Sequence, residues 1–283
     1  MSVPRLHAAP GIIAARIPLP VSGHTALLRQ PTGVEDMLLA ETARSDTGLA
    51  LDLFTHLVCA EDGEPLDAAA LSVTDLDAFV LGLRRVLLGD RIDADITCPA
   101  EHCRARIDLS FAIGQYLAHH RPRSAPLRLG GWSVTAIADE PGWFHLTRQG
   151  AAAATLSFRL PSGADQLAVE GRADAADALA RRCLGPIGLA RRLRHSAEAA
   201  MEALAPSLAG ELAGVCPECG AAVAAHFDPR RFCLQEMRDR ARFVYGDIDA
   251  LAHRYHWTER AILSLPSPRR ASYAELARQA IGA

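Results

Sequence analysis

The sequence predicts an α+β protein that is mostly helical and internally duplicated, with zinc-ribbon-like β-hairpins and a C-terminal helical segment. Three observations lead to this prediction. Stretches with helical spacing occupy much of the chain, two cysteine pairs with turn-like spacing lie far apart, and an Arg-x-Pro-(Thr/Ser)-Gly motif occurs twice, each time upstream of one cysteine pair. The same order of landmarks, found twice, indicates a duplicated unit.

The composition bounds the class of protein. The chain has 283 residues, of which 49% are hydrophobic and 22% charged, which is typical of one large or two ordinary globular domains. A net charge of −3 gives no overall reason to bind nucleic acid or an anionic membrane, and no apolar run approaches the ~18 residues of a membrane span. The sequence contains no lysine, so lysine-based Schiff-base and phosphate-loop chemistry is excluded.

The first 118 residues are predicted to form an arm followed by the first repeat. Residues 1–26 have the prolines of an extended N-terminal arm, whose apolar part is either an edge strand or a docking segment. The first repeat covers residues 27–118. In it, Thr32 and Glu35 form a capping box that begins a helix, and apolar residues with helical spacing between Leu76 and Leu87 predict an amphipathic helix.

Two alternating runs flank the first cysteine pair. Residues 91–97 alternate apolar and acidic side chains, and Ala105, Ile107 and Leu109 alternate again after Cys103. A strand, a cysteine turn and a second strand are the outline of a zinc-ribbon hairpin, in which a metal ion stabilises a small turn.

The two cysteine pairs predict one structural zinc site. Cys216 and Cys219 enclose Pro and Glu and precede Gly, which is a tight turn that directs both sulfurs at one metal, and Cys98 and Cys103 form a wider version. A tetrahedral site needs four ligands, so we expect these four cysteines to share one zinc. Free thiols and disulfides are the alternatives, and a local site completed by His226 and Cys233 is a further one.

A linker and the second repeat follow. Residues 119–156 are predicted to be a linker with a small hairpin, formed by residues 132–137 and 143–147. The second repeat covers residues 157–235, and its Ser162 and Asp165 match the first capping pair. Between its landmarks, residues 191–195 form a basic cluster that we interpret as a solvated helix face.

Residues 236–283 are predicted to form a C-terminal helical interaction segment. Apolar residues from Met237 to Tyr255 recur at alternating spacings of four and three, which predicts one long amphipathic helix. A short helix over residues 258–263 follows, and a last helix opens at Pro268. The apolar face of the last helix is expected to contain Tyr273, Leu276, Ala277 and Ile281.

Two stretches carry a resemblance to a known family. Residues 159–166, Arg-Leu-Pro-Ser-Gly-Ala-Asp-Gln, resemble the start of the baseplate-hub assembly proteins of T-even-like phages and related contractile injection systems. Residues 251–265, with Tyr-x-Trp-Thr-Glu before Ile-Leu, and the later Arg269-Arg270 resemble the C-terminal signature of the same proteins. The resemblance covers about residues 157–280, and the wider spacing of Cys98 and Cys103 departs from it.

The resemblance implies a non-enzymatic assembly chaperone or minor component of a baseplate or hub, with other proteins of that particle as partners. Cys216 and Cys219 would bind metal. A helical partner-binding surface would be formed by Tyr255, Trp257, Ile262, Leu263, Arg269, Arg270 and Tyr273. We expect no small-molecule substrate, no membrane partner and no nucleic acid.

Two other functions remain as alternatives. A zinc-ribbon nucleic-acid-binding or regulatory protein is the first, but the chain is near-neutral and no aromatic residues interleave with the 191–195 cluster. An enzyme is the second, but the sequence has no glycine-rich phosphate loop, no His-Glu-x-x-His and no Gly-x-Ser-x-Gly. Because Met1 to Val21 lack the continuous apolar region of a signal peptide, we expect a cytoplasmic protein, which could be incorporated in a phage or phage-tail-like particle.

Overall fold

The computed structural model describes residues 12–140, 142–148, 154–185 and 191–281. Helices and strands are both present throughout these ranges, which confirms the α+β class. None of the helices in the described ranges has the length and apolar character needed to cross a bilayer.

The elements of the first half are β1 (Ile13–Pro18), β2 (Thr25–Arg29), α1 (Gly33–Glu41), α2 (Asp46–Leu57), β3 (Val58–Cys59), a 3₁₀ turn (Ala68–Ala70), α3 (Val73–Leu88), β4 (Arg91–Thr97), β5 (Arg106–Ala112) and α4 (Ile113–His119). The middle of the chain contains β6 (Leu127–Leu129), β7 (Trp132–Ala136), β8 (Trp143–Arg148), β9 (Thr155–Arg159), α5 (Gly163–Val169), α6 (Ala175–Leu184) and α7 (Arg191–Leu204). The last part contains β10 (Gly210–Val215), β11 (Ala222–Phe227), α8 (Pro229–Ala241), α9 (Val244–Tyr255), α10 (Glu259–Leu263) and α11 (Ser267–Ile281).

The largest hydrophobic core is built around α3. This helix buries Leu76, Phe79 and Leu83 on the face that the sequence predicted, and it packs against β1, α2 and α8. Helix α8 contributes Leu234 and Met237 to the same core, so the predicted boundary at residue 235 is wrong because it falls inside a helix that belongs to the main core.

The described part of the predicted N-terminal arm is a strand of the main body. β1 pairs with β2 in an antiparallel sheet of order β1-β2-β3, and Ile17 and Leu19 are fully buried in the main core. The loop between these strands is held by the buried carboxylate of Asp75, which accepts hydrogen bonds from the backbone N–H groups of Val21 and Ser22. The edge-strand alternative is therefore confirmed, residues 12–26 are not a separate arm, and residues 1–11 lie outside the described part of the chain.

The predicted linker is a second small folded unit. β6, β7, β8 and β9 form a four-stranded antiparallel meander, which includes the hairpin that the sequence predicted. One face of this sheet buries Val134, Leu146 and Phe158 against α6 and α7, in a core separate from that of α3. The linker prediction fails because short strands with mixed polarity leave a weak sequence pattern.

The two repeated motifs form two similar helix caps. In the first cap, Thr32 and Glu35 make the predicted capping box and Arg29 pairs with Glu35. In the second cap, Ser162 and Asp165 make the same box and Arg159 pairs with Asp165. A strand thus leads into a capped helix in the same way at both places, which confirms both predicted helix starts.

Each cap also docks on the start of another helix. The first cap forms a β-bridge between Thr32 and Pro266 at the start of α11, and the second forms one between Ser162 and Ser72 at the start of α3. Glycine is required for this close approach, because a Cβ atom on Gly33 would lie 2.9 Å from the Leu263 Cα atom. The first cap therefore contacts the C-terminal segment, and the second cap contacts the start of α3 in the first half of the chain.

The C-terminal segment contains more helices than the sequence predicted. The long helix predicted from Met237 to Tyr255 is broken after Ala241, and α8 and α9 belong to different cores. Helices α9, α10 and α11 share a small core of their own. In α11 the buried apolar positions are Ala274 and Ala277, whereas Tyr273 and Leu276 are exposed, so the predicted apolar face of this helix is wrong at those two positions. The side chain of Ile281 lies outside the described part of the chain.

The cap carboxylate of Asp165 predicts a pH dependence of stability. Burial raises the pKa of Asp165, but hydrogen bonds from Arg159, the Ser162 N–H and Arg182 outweigh burial and hold the pKa below its usual range. A carboxylate with a lowered folded-state pKa stabilises the fold above its unfolded pKa of about 4, and this stabilisation is lost as the pH falls further.

We therefore expect Asp165→Asn to lower the free energy of unfolding by about 2 kcal/mol at pH 7 and by somewhat less at pH 3, because this stabilisation declines below the unfolded pKa and is lost fully only as the pH falls through the lowered folded-state pKa. Chemical denaturation at both pH values measures the difference. Asp174→Asn, at an exposed carboxylate that also pairs with arginine, is the control and should change stability little at either pH. No loss of stability at pH 7, or a larger loss at pH 3 than at pH 7, for Asp165→Asn would contradict the assignment.

Candidate metal centre

The four predicted cysteines meet at one point. The Sγ atoms of Cys98, Cys103, Cys216 and Cys219 all lie within 4.8 Å of one another. Two of these distances, Cys98 to Cys219 and Cys103 to Cys216, are 3.7 Å and 3.9 Å. Tetrahedral zinc with Zn–S bonds of about 2.3 Å places its sulfurs about 3.8 Å apart, so the cluster fits one four-coordinate ion.

Both cysteine turns have the same backbone geometry. The N–H of Cys98 donates to the carbonyl of Ala105 at 2.8 Å, and the N–H of Cys216 donates to the carbonyl of Ala221 at 2.8 Å, which closes each turn. The residue after the second cysteine has a positive φ in both turns, 50° at Arg104 and 73° at Gly220. The two additional residues of the first turn are therefore accommodated without changing how it closes.

Backbone N–H groups surround the sulfurs. Each of the four sulfurs has near it the N–H of the residue two positions later in the chain. Burial is the largest influence on the Cys216 thiol and raises its pKa, but N–H groups of Cys219 and Glu218 and the neighbouring thiols lower it to about 7. At Cys98, Cys103 and Cys219 the N–H group also lowers the thiol pKa, but burial and neighbouring thiols together raise it. Cys216 is therefore the thiol whose surroundings most favour the thiolate, the form of cysteine that binds a metal ion.

The two hairpins meet at two places. β4 and β5 form one two-stranded sheet, and β10 and β11 form another. In the main core, the rings of Phe111 in β5 and Phe227 in β11 lie 5.2 Å apart. At the cysteine ends, the cluster that joins the hairpins contains Cys98, Cys216 and Val223 with a few half-buried neighbours. Because the apolar contact at this end is small, a bound metal ion would be the main bond between the cysteine ends of the hairpins.

The disulfide and local-site alternatives for the cysteines do not match this geometry. Sulfurs 3.7 Å or more apart are not bonded to each other, and all seven cysteines are free. Cys233 is buried in the main core, where burial raises its pKa to about 12, and neither it nor His226 belongs to the sulfur cluster. The local site with His226 and Cys233 is therefore wrong.

The residues predicted to bind a partner fall into two groups. Tyr255, Trp257, Arg269 and Tyr273 are exposed, and Leu263 is half-buried. Ile262 and Arg270 are buried within the chain, because Ile262 lies in the core of α9, α10 and α11 and Arg270 pairs with Asp36 and Asp247. Ile262 and Arg270 make contacts within the chain, so the prediction that they belong to a partner-binding surface is wrong.

Sequence reasoning missed the buried ion pairs that join distant helices. Arg270 reaches Asp36 across 234 positions of the chain, and Arg230 reaches Asp77 across 153. Arg230 also donates to Thr47 and to Gln166, which ties α8 to α2 and α5. No local spacing signals such contacts, although a chain whose basic residues are all arginine is suited to them.

Four thiolates fill a tetrahedral coordination sphere, so a zinc ion held here would have no open position for water or substrate. The chemistry of the donor set is therefore structural. Comparisons of the chain with protein-family models, curated proteins and solved structures find no match. The geometry of the sulfur cluster and the family resemblance are the sources of functional inference.

We expect the purified protein to contain about one zinc ion per chain. Cys98→Ser removes one sulfur from the first hairpin, and Cys216→Ser removes one from the second. Each variant should lose the zinc and have a lower melting temperature, because three sulfurs do not complete the site. Elemental mass spectrometry and thermal unfolding measure both effects. Cys59→Ser, at a half-buried cysteine outside the cluster, is the control and should keep the metal. Two zinc ions, each lost in only one variant, would contradict the shared site.

The positive φ angles predict that introducing glycine at the first turn and removing it from the second have opposite effects on stability. Arg104→Gly should stabilise the protein by about 0.5 kcal/mol, because glycine adopts a left-handed conformation without a Cβ penalty. Gly220→Ala should destabilise it by about 1 kcal/mol for the converse reason. Gly214→Ala, where a Cβ atom meets nothing within 4 Å and φ is not positive, should leave stability unchanged or raise it slightly. Chemical denaturation of the zinc-loaded proteins measures the free energy of unfolding of each variant. A Gly220→Ala variant as stable as the wild type would contradict the prediction.

Proposed function

We propose that this chain is a non-enzymatic, zinc-stabilised structural or assembly-chaperone protein of the baseplate or hub of a contractile, phage-tail-like injection system. The observation that carries the proposal is the closed four-cysteine cluster, which suits a structural metal ion and leaves no position for catalysis. The resemblance of residues 157–280 to baseplate-hub assembly proteins supplies the biological setting.

The chain would have arisen by duplication of a unit that ends in a zinc-ribbon-like hairpin. In support, each half has a strand, a capped helix, further helices, a strand, a cysteine turn, a strand and a helix in that order. The match is closest around the metal: β5 begins three residues after Cys103 and β11 three residues after Cys219, while α4 and α8 each begin ten residues after the same cysteines. The halves differ mainly between α2 and α3, where the first half also contains β3 and the 3₁₀ turn.

A rigid clip of this kind would serve an assembly protein. It would fix the two hairpins relative to each other without a large hydrophobic contact, and the C-terminal helices would remain on the surface to bind another hub protein. Its partners would be other proteins of the baseplate or hub. It would act in the cytoplasm, where such particles are assembled, and could be incorporated into them.

The test is deletion of the encoding gene in the native host, followed by electron microscopy of the sedimented particles. We expect particles without complete baseplates, restored by the wild-type protein and by Cys59→Ser but not by Cys216→Ser. Immunoblotting of purified particles for this chain separates a component that stays from a chaperone that leaves. Normal numbers of intact, contractile particles after deletion would overturn the proposal.

A further inference from the structure

The C-terminal segment has an unusual surface. The phenylalanine, tyrosine and tryptophan side chains that are exposed in the described ranges all lie between Phe243 and Tyr273. Three of them touch one another: the rings of Tyr255 and Trp257 are 5.2 Å apart, and those of Trp257 and Tyr273 are 5.8 Å apart. The cluster joins the end of α9, the loop after it and α11, so aromatic surface from three elements forms one site.

Arginine side chains without counterions border this cluster. Arg254, Arg260 and Arg269 are exposed, and across the part of the chain that the structure describes they form no ion pair. Arg254 adjoins Tyr255 in the chain, and Arg260 lies in the helix that follows Trp257. These three arginines outnumber the two exposed carboxylates of the same stretch, Glu259 and Glu275, so the segment has a local excess of positive charge in a protein whose net charge is −3.

One face of α11 extends the site. Arg269, Tyr273 and Leu276 follow a spacing of four and three, which places them on one side of the helix, and all three are exposed. Leu276 is 56% exposed, which is high for a leucine on a helix whose other face is buried. The stripe offers a cation at one end, an aromatic ring in the middle and an aliphatic side chain at the other end.

We propose that this aromatic-arginine face (Arg254, Tyr255, Trp257, Arg260, Arg269, Tyr273 and Leu276) binds an acidic segment of a partner protein, with a large apolar side chain between its carboxylates. Guanidinium groups bind carboxylates through paired hydrogen bonds, and tyrosine, tryptophan and arginine are the side chains that dominate binding energy in protein interfaces. This inference rests on the proposed function, in which the C-terminal segment binds another hub protein, and it specifies the chemistry of that protein.

Charge and ring geometry favour an acidic protein over single-stranded nucleic acid. Bases stack on aromatic faces that are open to solvent. Here Trp257 and Tyr273 meet edge to face at 80°, and each ring residue is only 37–39% exposed, so the faces are partly covered by neighbouring rings. Three unpaired arginines would also neutralise few phosphates, and the net charge of the whole chain is negative.

Fluorescence anisotropy of short labelled probes on the full zinc-loaded chain tests the proposal. The probes are a glutamate-rich peptide with a central Leu-Phe pair, the same peptide with lysine for every glutamate, and an oligo-dT. We expect the acidic peptide alone to bind, with an affinity that falls as salt is raised. Trp257→Ala and the triple variant Arg254→Glu, Arg260→Glu, Arg269→Glu should each weaken binding about tenfold or more.

The double variant Arg242→Glu, Phe243→Ala is the matched control. It removes an exposed aromatic ring and its stacked arginine elsewhere in the same segment, and it should leave the affinity unchanged. Zinc content and circular dichroism confirm that each variant is folded, and Trp257→Phe should retain most of the binding. Equal binding of the lysine peptide, tighter binding of oligo-dT, or no effect of the triple variant would overturn the proposal.

The failure of this inference is distinguishable from that of the proposed function. If the triple variant restores baseplates in the deletion strain as well as the wild type does, the acidic-partner inference fails while the assembly role stands. If the acidic peptide binds as expected but deletion leaves intact particles, the binding face stands and the proposed baseplate function fails.

Discussion

The burial of charged side chains in arginine pairs is the interaction on which the arrangement of the helices depends. Arg230 meets Asp77 between α8 and α3, Arg84 meets Glu236 between the same helices, and Arg270 meets Asp36 between α11 and α1. A charge taken out of water is tolerated only when a partner compensates it, and removal of one partner from such a pair costs about 3–5 kcal/mol. Each pair therefore fixes which helices face each other.

The C-terminal segment depends more on polar contacts with the rest of the chain than the main body does. The main body is held by a large apolar core in addition to its ion pairs. The C-terminal helices have a small core of their own and meet α1 through a β-bridge and through polar contacts of Asp36 with Ser267 and Arg270. Interfaces of this polar kind resemble those between separate domains.

The sulfur cluster adds a third type of contact, between two hairpins that share no sheet. Small β-hairpins in isolation are marginally stable, because two strands bury too little apolar surface. Bringing four sulfurs to one point would allow metal coordination to replace that missing surface, and the closed donor set would make such a metal ion a structural element. The proposed binding face lies on a different segment, so metal-based stabilisation and partner binding would belong to separate parts of the chain.

The local features of this protein were determined by its sequence. The spacing of Cys98, Cys103, Cys216 and Cys219 predicted the cluster that the structure shows, and the motifs at Thr32 and Ser162 predicted both helix caps, because turns and caps depend on residues near in sequence. Only the tertiary structure decided that β1 belongs to the main core, that residues 127–159 form a sheet, and that Arg270 and Ile262 face inwards while Leu276 faces outwards. The physical reason is that burial depends on contacts between residues far apart in the chain, such as Arg270 with Asp36, and a local hydrophobic or charged pattern does not specify the partner.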